Sequence, residues 1–322
     1  MVANATRLLN NKGFMHETDH RTTTYNCNLN EFVSIGWMNN WKSQQEDIAG
    51  MRRELALALV NHASIWFFDM WGQAHKTDEA IDNVRLMKQV WDRFESDRSS
   101  TAAEVLMVVD PQGLMQINDR HGFSPIMHNG LRNRLNRIGA PFEICSFNDL
   151  SKLNLDQYKF LIFPSSFLMT PERQNVLDKY VLKNNRTILW CYAPGVSDGK
   201  SLDVKRVEKL TGTPFKTAGV QKVKRDGYTS VYVYDYKTFT PALLKSLAVS
   251  AGVNIWCDEE VPVYANGKLC AVHTAKGGKK TIRLPKKYGE VTEVFSGKVA
   301  ARNASEFTWE FATPETALFE LK

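Results

Sequence analysis

A stretch near the beginning of the chain combines charged side chains at a spacing that two kinds of chemistry use. The sequence "HETDHRT" contains H-E-x-x-H, with His16, Glu17 and His20 as its defined positions. On a helix, two histidines four residues apart bind one zinc ion while the glutamate activates its water, as in metallopeptidases. On a strand, Glu17 instead stands at the carboxyl end, where barrel enzymes place catalytic residues.

The local sequence favours the strand. Thr18 and Asp19 are poor helix formers, "RTTTYN" follows at once, and Gly13 ends a preceding helix, so that "FMHE" is predicted as a short strand. No convincing third metal ligand stands at the usual short distance, although Glu54 and His62 are nominal candidates. We therefore predict no metal site, and a zinc metallopeptidase stays a remote alternative.

The next predicted strand carries further groups that suit a carbohydrate site. "SIWFFDMW" ends near Asp69, with Trp66 and Trp71 on either side. Indole rings stack on the flat apolar faces of sugars, and carboxylates accept hydrogen bonds from hydroxyl groups. A second interpretation stays open, in which the aromatic residues of this strand fill a core and Asp69 caps a helix.

Three kinds of segment must position these residues. Helices are predicted over 46–62, with Met51, Leu55 and Leu59 on one face, and over 78–95. After the composition change at "SDRSSTAAE", continuous apolar strands such as "EVLMVVD" and "TILWCYAP" alternate with amphipathic helices, which predicts a doubly wound parallel sheet. Beyond about residue 254, alternating strands with "NGK" and "GGK" turns predict a small antiparallel β domain.

Composition excludes several classes of function. The 322 residues are 43% hydrophobic and 24% charged, which is ordinary for a globular protein. The net charge of +6 is spread without a basic block, so we predict no nucleic-acid partner, and no run approaches the roughly 18 apolar residues of a membrane span. We predict no cofactor, because no G-x-G-x-x-G follows a strand.

The five cysteines show no C-x-x-C spacing, which favours buried free thiols. Cys191 near a strand end is the one position to compare with an amidotransferase nucleophile. Its bulky neighbours Trp190 and Tyr192 favour a buried thiol instead, because a reactive thiol needs an exposed, electropositive setting.

A resemblance now connects these segments. "HETDHRT", followed about fifty residues later by "SIWFFDMWG", resembles the last two barrel strands of β-galactosidase-like glycoside hydrolases of the family 42 type. Residues 104–256 are similar to the trimerisation domain of that family, which has a glutamine-amidotransferase-like flavodoxin fold, and the tail from "IRLPKKYGEV" resembles its final β-sandwich. The resemblance implies three domains: an incomplete end of a TIM barrel at 1–98, a flavodoxin-like trimerisation domain at 99–256, and a C-terminal β-sandwich at 257–322.

The resemblance also implies a reaction. Glu17 matches the position of the nucleophile of that family, at the end of barrel strand seven, and a retaining glycosidase needs a second carboxyl group as acid/base. In the family that group comes from barrel strand four, which this chain lacks. We therefore expect the C-terminal portion of a glycoside hydrolase that is inactive alone; the alternative is a non-catalytic oligomerisation or carbohydrate-associated module.

The resemblance further implies partners. The expected substrate-binding residues are Asp69, Trp71, Trp66, His20 and Arg21. A structural pairing of Arg21 with Asp19 or Glu54 is equally open. We expect a β-galactoside-like or other glycoside as ligand and a homotrimer as the assembly. Residues 1 to 12 lack the apolar core of a signal peptide, which favours the cytoplasm. The compartment nevertheless stays open, because the parent chain is expected to begin earlier.

Overall fold

The computed structural model describes residues 3–19, 22–24, 40–68, 75–119 and 122–322. These residues form two compact units. Unit 1 comprises Met1–Lys12 and Ala103–Glu260, and unit 2 comprises Gly13–Ala102 and Val261–Lys322. The three separate domains expected from the resemblance stay a prediction.

The helices of the described residues are α1 Asn4–Leu9, α2 Gln44–Val60, α3 Asp78–Phe94, α4 Pro111–Leu114, α5 Leu131–Leu135, α6 Pro171–Val176, α7 Lys205–Thr211 and α8 Pro241–Ser250. The strands are β1 Met15–Thr18, β2 Ser64–Phe67, β3 Val105–Val109, β4 Phe142–Ser146, β5 Phe160–Phe163, β6 Arg186–Cys191, β7 Val220–Arg225, β8 Tyr228–Val233, β9 Val263–Ala265, β10 Leu269–Thr274, β11 Gly278–Glu293, β12 Val299–Phe311 and β13 Glu315–Leu321.

Unit 1 is built on a six-stranded sheet in the order β4-β3-β5-β6-β8-β7. All neighbours are parallel except β7, which runs antiparallel to β8 at the edge. The central strands β5 and β6 are buried along their whole length, as the continuous apolar runs predicted, because helices cover both faces of such a sheet. The antiparallel edge strand β7 and helix α7 were not predicted from the sequence.

Helices of unit 1 begin where the sequence supplies caps. The side chain of Thr170 accepts a hydrogen bond from the backbone N–H of Arg173 at the start of α6, and Pro171 follows at the first helical position. This helix is short, since α6 passes into a π-helical segment at Leu177–Val181. A second π-helical segment, Pro125–Gly130, leads directly into α5.

Unit 2 packs two helices on a five-stranded antiparallel sheet, ordered β12-β11-β13-β10-β9. Met51, Leu55 and Leu59 of α2 join one apolar core with Leu269 of β10 and Leu318 of β13. This confirms the predicted apolar face of the helix. The tail forms the antiparallel β structure that its alternating strands predicted, and in it the long strand β11 pairs with β12 and also with β13. The β-sandwich that the resemblance implies stays a prediction.

A separate two-stranded parallel sheet of unit 2 joins β1 to β2. Helix α2 lies between the two strands in sequence, so the segment is one strand–helix–strand crossover. The chain therefore combines parallel and antiparallel sheets in a mixed α/β structure. None of the described helices is both long and apolar enough to cross a lipid bilayer.

Candidate functional site

Glu17 and Trp66 are neighbours on the open face of the β1 and β2 sheet. The register pairs Glu17 with Trp66 and Met15 with Ser64, and all four side chains are exposed. Side chains alternate between the two faces of a strand, and adjacent strands lie about 4.8 Å apart, so paired residues project side by side. The structure thus brings together the candidate nucleophile and one of the predicted sugar-stacking residues.

The opposite face of β1 is attached to helix α2 through Glu54. The Nε2 atom of His16 lies 2.7 Å from Oε2 of Glu54, and the side chain of Glu54 is buried. Arg53 donates to Oε1 of the same carboxylate from Nη2 at 2.6 Å and from Nε at 2.9 Å. This network holds His16 in place. Because His16 and Glu17 are successive residues of β1, the position of His16 also fixes the direction in which Glu17 projects.

A second carboxylate of α2 holds the chain beyond β1. The backbone N–H of Thr23 donates to Oδ1 of Asp47 at 3.0 Å, and its hydroxyl donates to Oδ2 at 2.6 Å. Asp47 is buried in the first turn of α2, where the helix dipole favours a negative charge. The segment that carries the H-E-x-x-H motif is therefore attached to one helix at residue 16 and again at residue 23.

Charge and burial in this region shift two pKa values. Burial alone would lower the pKa of Arg53, but attraction to Glu54 and the hydrogen bonds with it raise that pKa above its ordinary value. His273 of β10 lies in the same charged environment: burial, with the nearby Arg53, lowers its pKa to about 4, against the attraction of Glu54. Nδ1 of His273 lies 2.8 Å from the hydroxyl of Thr316, and that hydroxyl donates to the carbonyl of Ala49 in α2 at 2.5 Å. At neutral pH the imidazole is therefore uncharged.

The strand geometry removes the basis of the zinc peptidase alternative. His16 and Glu17 are successive residues of β1, so they project to opposite faces, whereas a zincin needs the motif on a helix. Glu54, once a nominal metal ligand, accepts hydrogen bonds from His16 and Arg53 instead. Within the part of the chain that the structure describes, no three His, Cys, Asp or Glu side chains gather to hold a metal ion.

Several predicted site residues lie outside the described residues: His20, Arg21, Asp69 and Trp71. Their roles stay predictions. The sequence analysis did not identify Asp47, and it gave Glu54 no structural role other than the alternative pairing with Arg21. A signal was present, because two carboxylates seven residues apart lie on one face of a helix, here with apolar Met51 between them. Acidic groups at such positions are seldom buried without partners.

Cys191 has the buried environment that its neighbours predicted. It is the last residue of β6 and is fully buried, and burial raises the pKa of its thiol. The next residue, Tyr192, has φ of 62°, a left-handed conformation that a bulky side chain seldom adopts. The sharp turn after β6 therefore presents an aromatic ring, which stacks on Tyr234 with ring centroids 5.5 Å apart. A thiol nucleophile does not occupy this turn.

Comparison with solved structures identifies this architecture. The chain superposes on a β-galactosidase from Bacillus circulans sp. alkalophilus with a TM-score of 0.63, at 13% identity over 89% of this chain and 54% of that one. It matches Gan42B, a GH42 β-galactosidase from G. stearothermophilus, with a TM-score of 0.58 at 11% identity, covering 87% of this chain and 51% of that one. The fold is that of part of a GH42 β-galactosidase. This confirms the resemblance first seen in the sequence motifs.

Other matches show how far the fold extends. An α-L-fucosidase isoenzyme 2 from Paenibacillus thiaminolyticus matches with a TM-score of 0.56 at 13% identity, covering 99% of this chain and 62% of that one. The chain spans about half the length of the β-galactosidases described above. No family model matches the sequence, and no curated protein matches it significantly. At these identities the likeness establishes the fold alone.

Proposed function

We propose that this chain is the C-terminal portion of a retaining, β-galactosidase-like glycoside hydrolase, in which Glu17 is the nucleophile. The observation that carries the proposal is the pairing of Glu17 with Trp66 on the exposed face of the parallel β1 and β2 sheet. In a (β/α)8 barrel, the corresponding strand ends carry the catalytic residues. The likeness to β-galactosidases supports reading these two strands as the last two of such a barrel.

The exposed face also supports an incomplete site. Met15 is 62% exposed and Trp66 38%, although each stands on a parallel strand, and parallel sheets are ordinarily covered on both faces. We assign the missing cover to further barrel strands of a longer protein. Those strands would also supply the acid/base carboxyl, about 5 Å from the nucleophile as the retaining mechanism requires.

Each site residue then has a role. Glu17 attacks the anomeric carbon as the glycosidic C–O bond breaks, and the acid/base carboxyl of the further strands protonates the departing oxygen. Water, deprotonated by the same carboxyl, then hydrolyses the glycosyl-enzyme and releases Glu17. Trp66 and Trp71 offer apolar faces to the sugar ring. Asp69, His20 and Arg21 bind sugar hydroxyl groups. His16 and Glu54 act as positioning residues, since they attach β1 to α2 without facing the sugar. The 322 residues alone lack one of the two required carboxyl groups and are expected to be inactive.

Covalent trapping tests the assignment of Glu17. The longer protein would be inactivated with a 2-deoxy-2-fluoro-β-galactoside, digested, and mapped by mass spectrometry. We expect the label on the peptide that contains Glu17, no labelling in Glu17→Gln, and unchanged labelling in Glu310→Gln, an exposed glutamate of β12. A label on a different carboxylate would remove Glu17 from the mechanism, and hydrolysis of an aryl galactoside by the 322 residues alone would contradict the division of the site.

The second candidate is a module for oligomerisation or carbohydrate association. This candidate is supported by exposed apolar side chains on unit 1. Monomeric proteins seldom expose several apolar side chains side by side, and such patches commonly mark a protein–protein interface. Leu202 is 72% exposed and Val204, two residues later, is 49% exposed. We propose that the doubly wound unit associates into a trimer through surfaces of this kind, and this assembly role does not depend on catalysis by Glu17.

A further inference from the structure

Unit 1 contains a cleft that the proposed catalytic site does not use. It has a volume of about 820 Å³ and is lined by residues of α6, α7 and the end of β7. Clefts of roughly 300–1,000 Å³ are the usual size of small-molecule sites. The apolar part of its lining, called the floor below, consists of Met169, Leu182, Leu210 and Tyr228.

Gly195 also lines the cleft, next to two residues of the floor. A Cβ atom at this position would lie 3.2 Å from Leu210 and 3.5 Å from Met169, and the backbone has φ of 69°, which favours glycine. Any other residue would be strained and would also fill part of the floor. Glycine at this position therefore adds no side chain to the lining of the cleft.

The charges on the walls balance. Three acidic groups, Asp178, Asp198 and Asp226, face three basic ones, and the basic residues are Arg206, Lys209 and Arg225. Arg206 and Asp198 form an ion pair, since Nη2 of Arg206 lies 2.6 Å from Oδ2 of Asp198. A phosphate or polycarboxylate ligand would need a surplus of positive charge, which these walls do not provide.

Hydrogen-bonding capacity remains unused around the cleft. The amide of Asn175 on α6 makes no hydrogen bond with any described residue, and the same holds for the carboxylate of Asp226 and the ammonium group of Lys209. Nε of Arg225 is buried with no partner among the described residues, and its Nη2 reaches the carbonyl of Lys209 at 3.3 Å. The exposed side chains of Asn175, Asp226 and Lys209 therefore offer both donors and acceptors to a ligand.

We propose that this cleft binds a neutral saccharide. A sugar presents apolar C–H faces to the floor and several hydroxyl groups, each both donor and acceptor, to amide, carboxylate and guanidinium groups on the walls. The absence of net charge favours this class over nucleotides and organic acids. We expect weak, millimolar affinity, because the cleft is open and each hydrogen bond displaces water. The site lies in unit 1 and is independent of the role proposed for Glu17.

Saturation-transfer NMR of the 322-residue protein with lactose and maltose tests this proposal. We expect saturation of sugar protons in the unaltered protein, and affinity lowered about tenfold or more in Asn175→Trp, whose indole fills the cleft. Asn148→Trp is the matched control, since Asn148 is an exposed asparagine of unit 1 outside the cleft. Circular dichroism of both variants checks that the fold is kept.

The two sugar sites are separated by a third variant. Trp66→Ala removes a ring of the site proposed at Glu17, and in this background Asn175→Trp should still lower the affinity for maltose, which is not a β-galactoside. Loss of binding in Trp66→Ala but not in Asn175→Trp would overturn the proposal while supporting the site at Glu17. No detectable binding of either disaccharide would also overturn it, as would tighter binding of inorganic phosphate than of the sugars.

Discussion

Replacing Glu54 tests whether helix α2 holds the strand that carries Glu17. Glu54 is 7% exposed and accepts hydrogen bonds from His16 and Arg53, whose side chains are 26% and 31% exposed. Glu54→Leu replaces the carboxylate with an apolar side chain of similar size and so removes every acceptor. The imidazole of His16 and the guanidinium of Arg53 then lose their described partner while they stay largely buried.

The expected cost follows from these contacts. Breaking a buried ion pair by removing one partner costs about 3–5 kcal/mol, and a hydrogen bond to a charged group contributes about 1.5–3 kcal/mol. Because water reaches part of both partners, we discount the upper values and expect the free energy of unfolding to fall by about 3 kcal/mol. Glu54→Gln keeps one acceptor and should cost about half as much.

Urea unfolding followed by tryptophan fluorescence measures the loss, and hydrogen exchange places it within the molecule. The β1 and β2 sheet should lose protection first, for example at the amide of Phe68, which donates to the carbonyl of Thr18 at 3.0 Å. Glu208→Leu, an exposed glutamate on α7, is the matched control and should change stability by less than about 0.5 kcal/mol. If Glu54→Leu costs no more than this control, the carboxylate does not hold β1.

Three further predictions concern other parts of the molecule. The pKa of His273 is lowered to about 4, so the folded state binds fewer protons than the unfolded chain. The contribution of His273 to the free energy of unfolding is complete above about pH 6.5, and about 3 kcal/mol of it is lost as the pH falls towards 4. Urea titrations at the two pH values should show this loss, and His273→Asn should reduce it; an equal loss in the variant would contradict the assignment. Light scattering should give three times the 36.7 kDa chain mass. Leu202→Asp should shift the protein towards monomers, whereas Val299→Asp in unit 2 should leave the mass unchanged, and a monomer of the unaltered protein at micromolar concentration would count against the trimer. Trp190→Ala should lower stability by about 3–5 kcal/mol, because this fully buried ring stacks on Phe163 in the core of unit 1, and a loss below 1.5 kcal/mol by urea unfolding would show that the core closes around the gap.

Local patterns in the sequence were sufficient for most of the regular structure. Continuous apolar runs such as "FLIF" predicted the central strands of unit 1, because a strand covered on both faces has no polar side. Spacing of three and four residues predicted the face of α2 that packs on the sheet. The π-helical segments were missed, since nothing in local spacing distinguishes them from a continuing α-helix.

The sequence by itself determined that Glu17 stands on a strand, because threonine and aspartate follow where a helix would have to continue. Tertiary structure alone decided what surrounds it. The register that sets Trp66 beside Glu17, and the contact of Glu54 with His16, join residues 49 and 38 positions apart. Such contacts depend on how β1, α2 and β2 pack together, and a local pattern of residues carries no information about that packing.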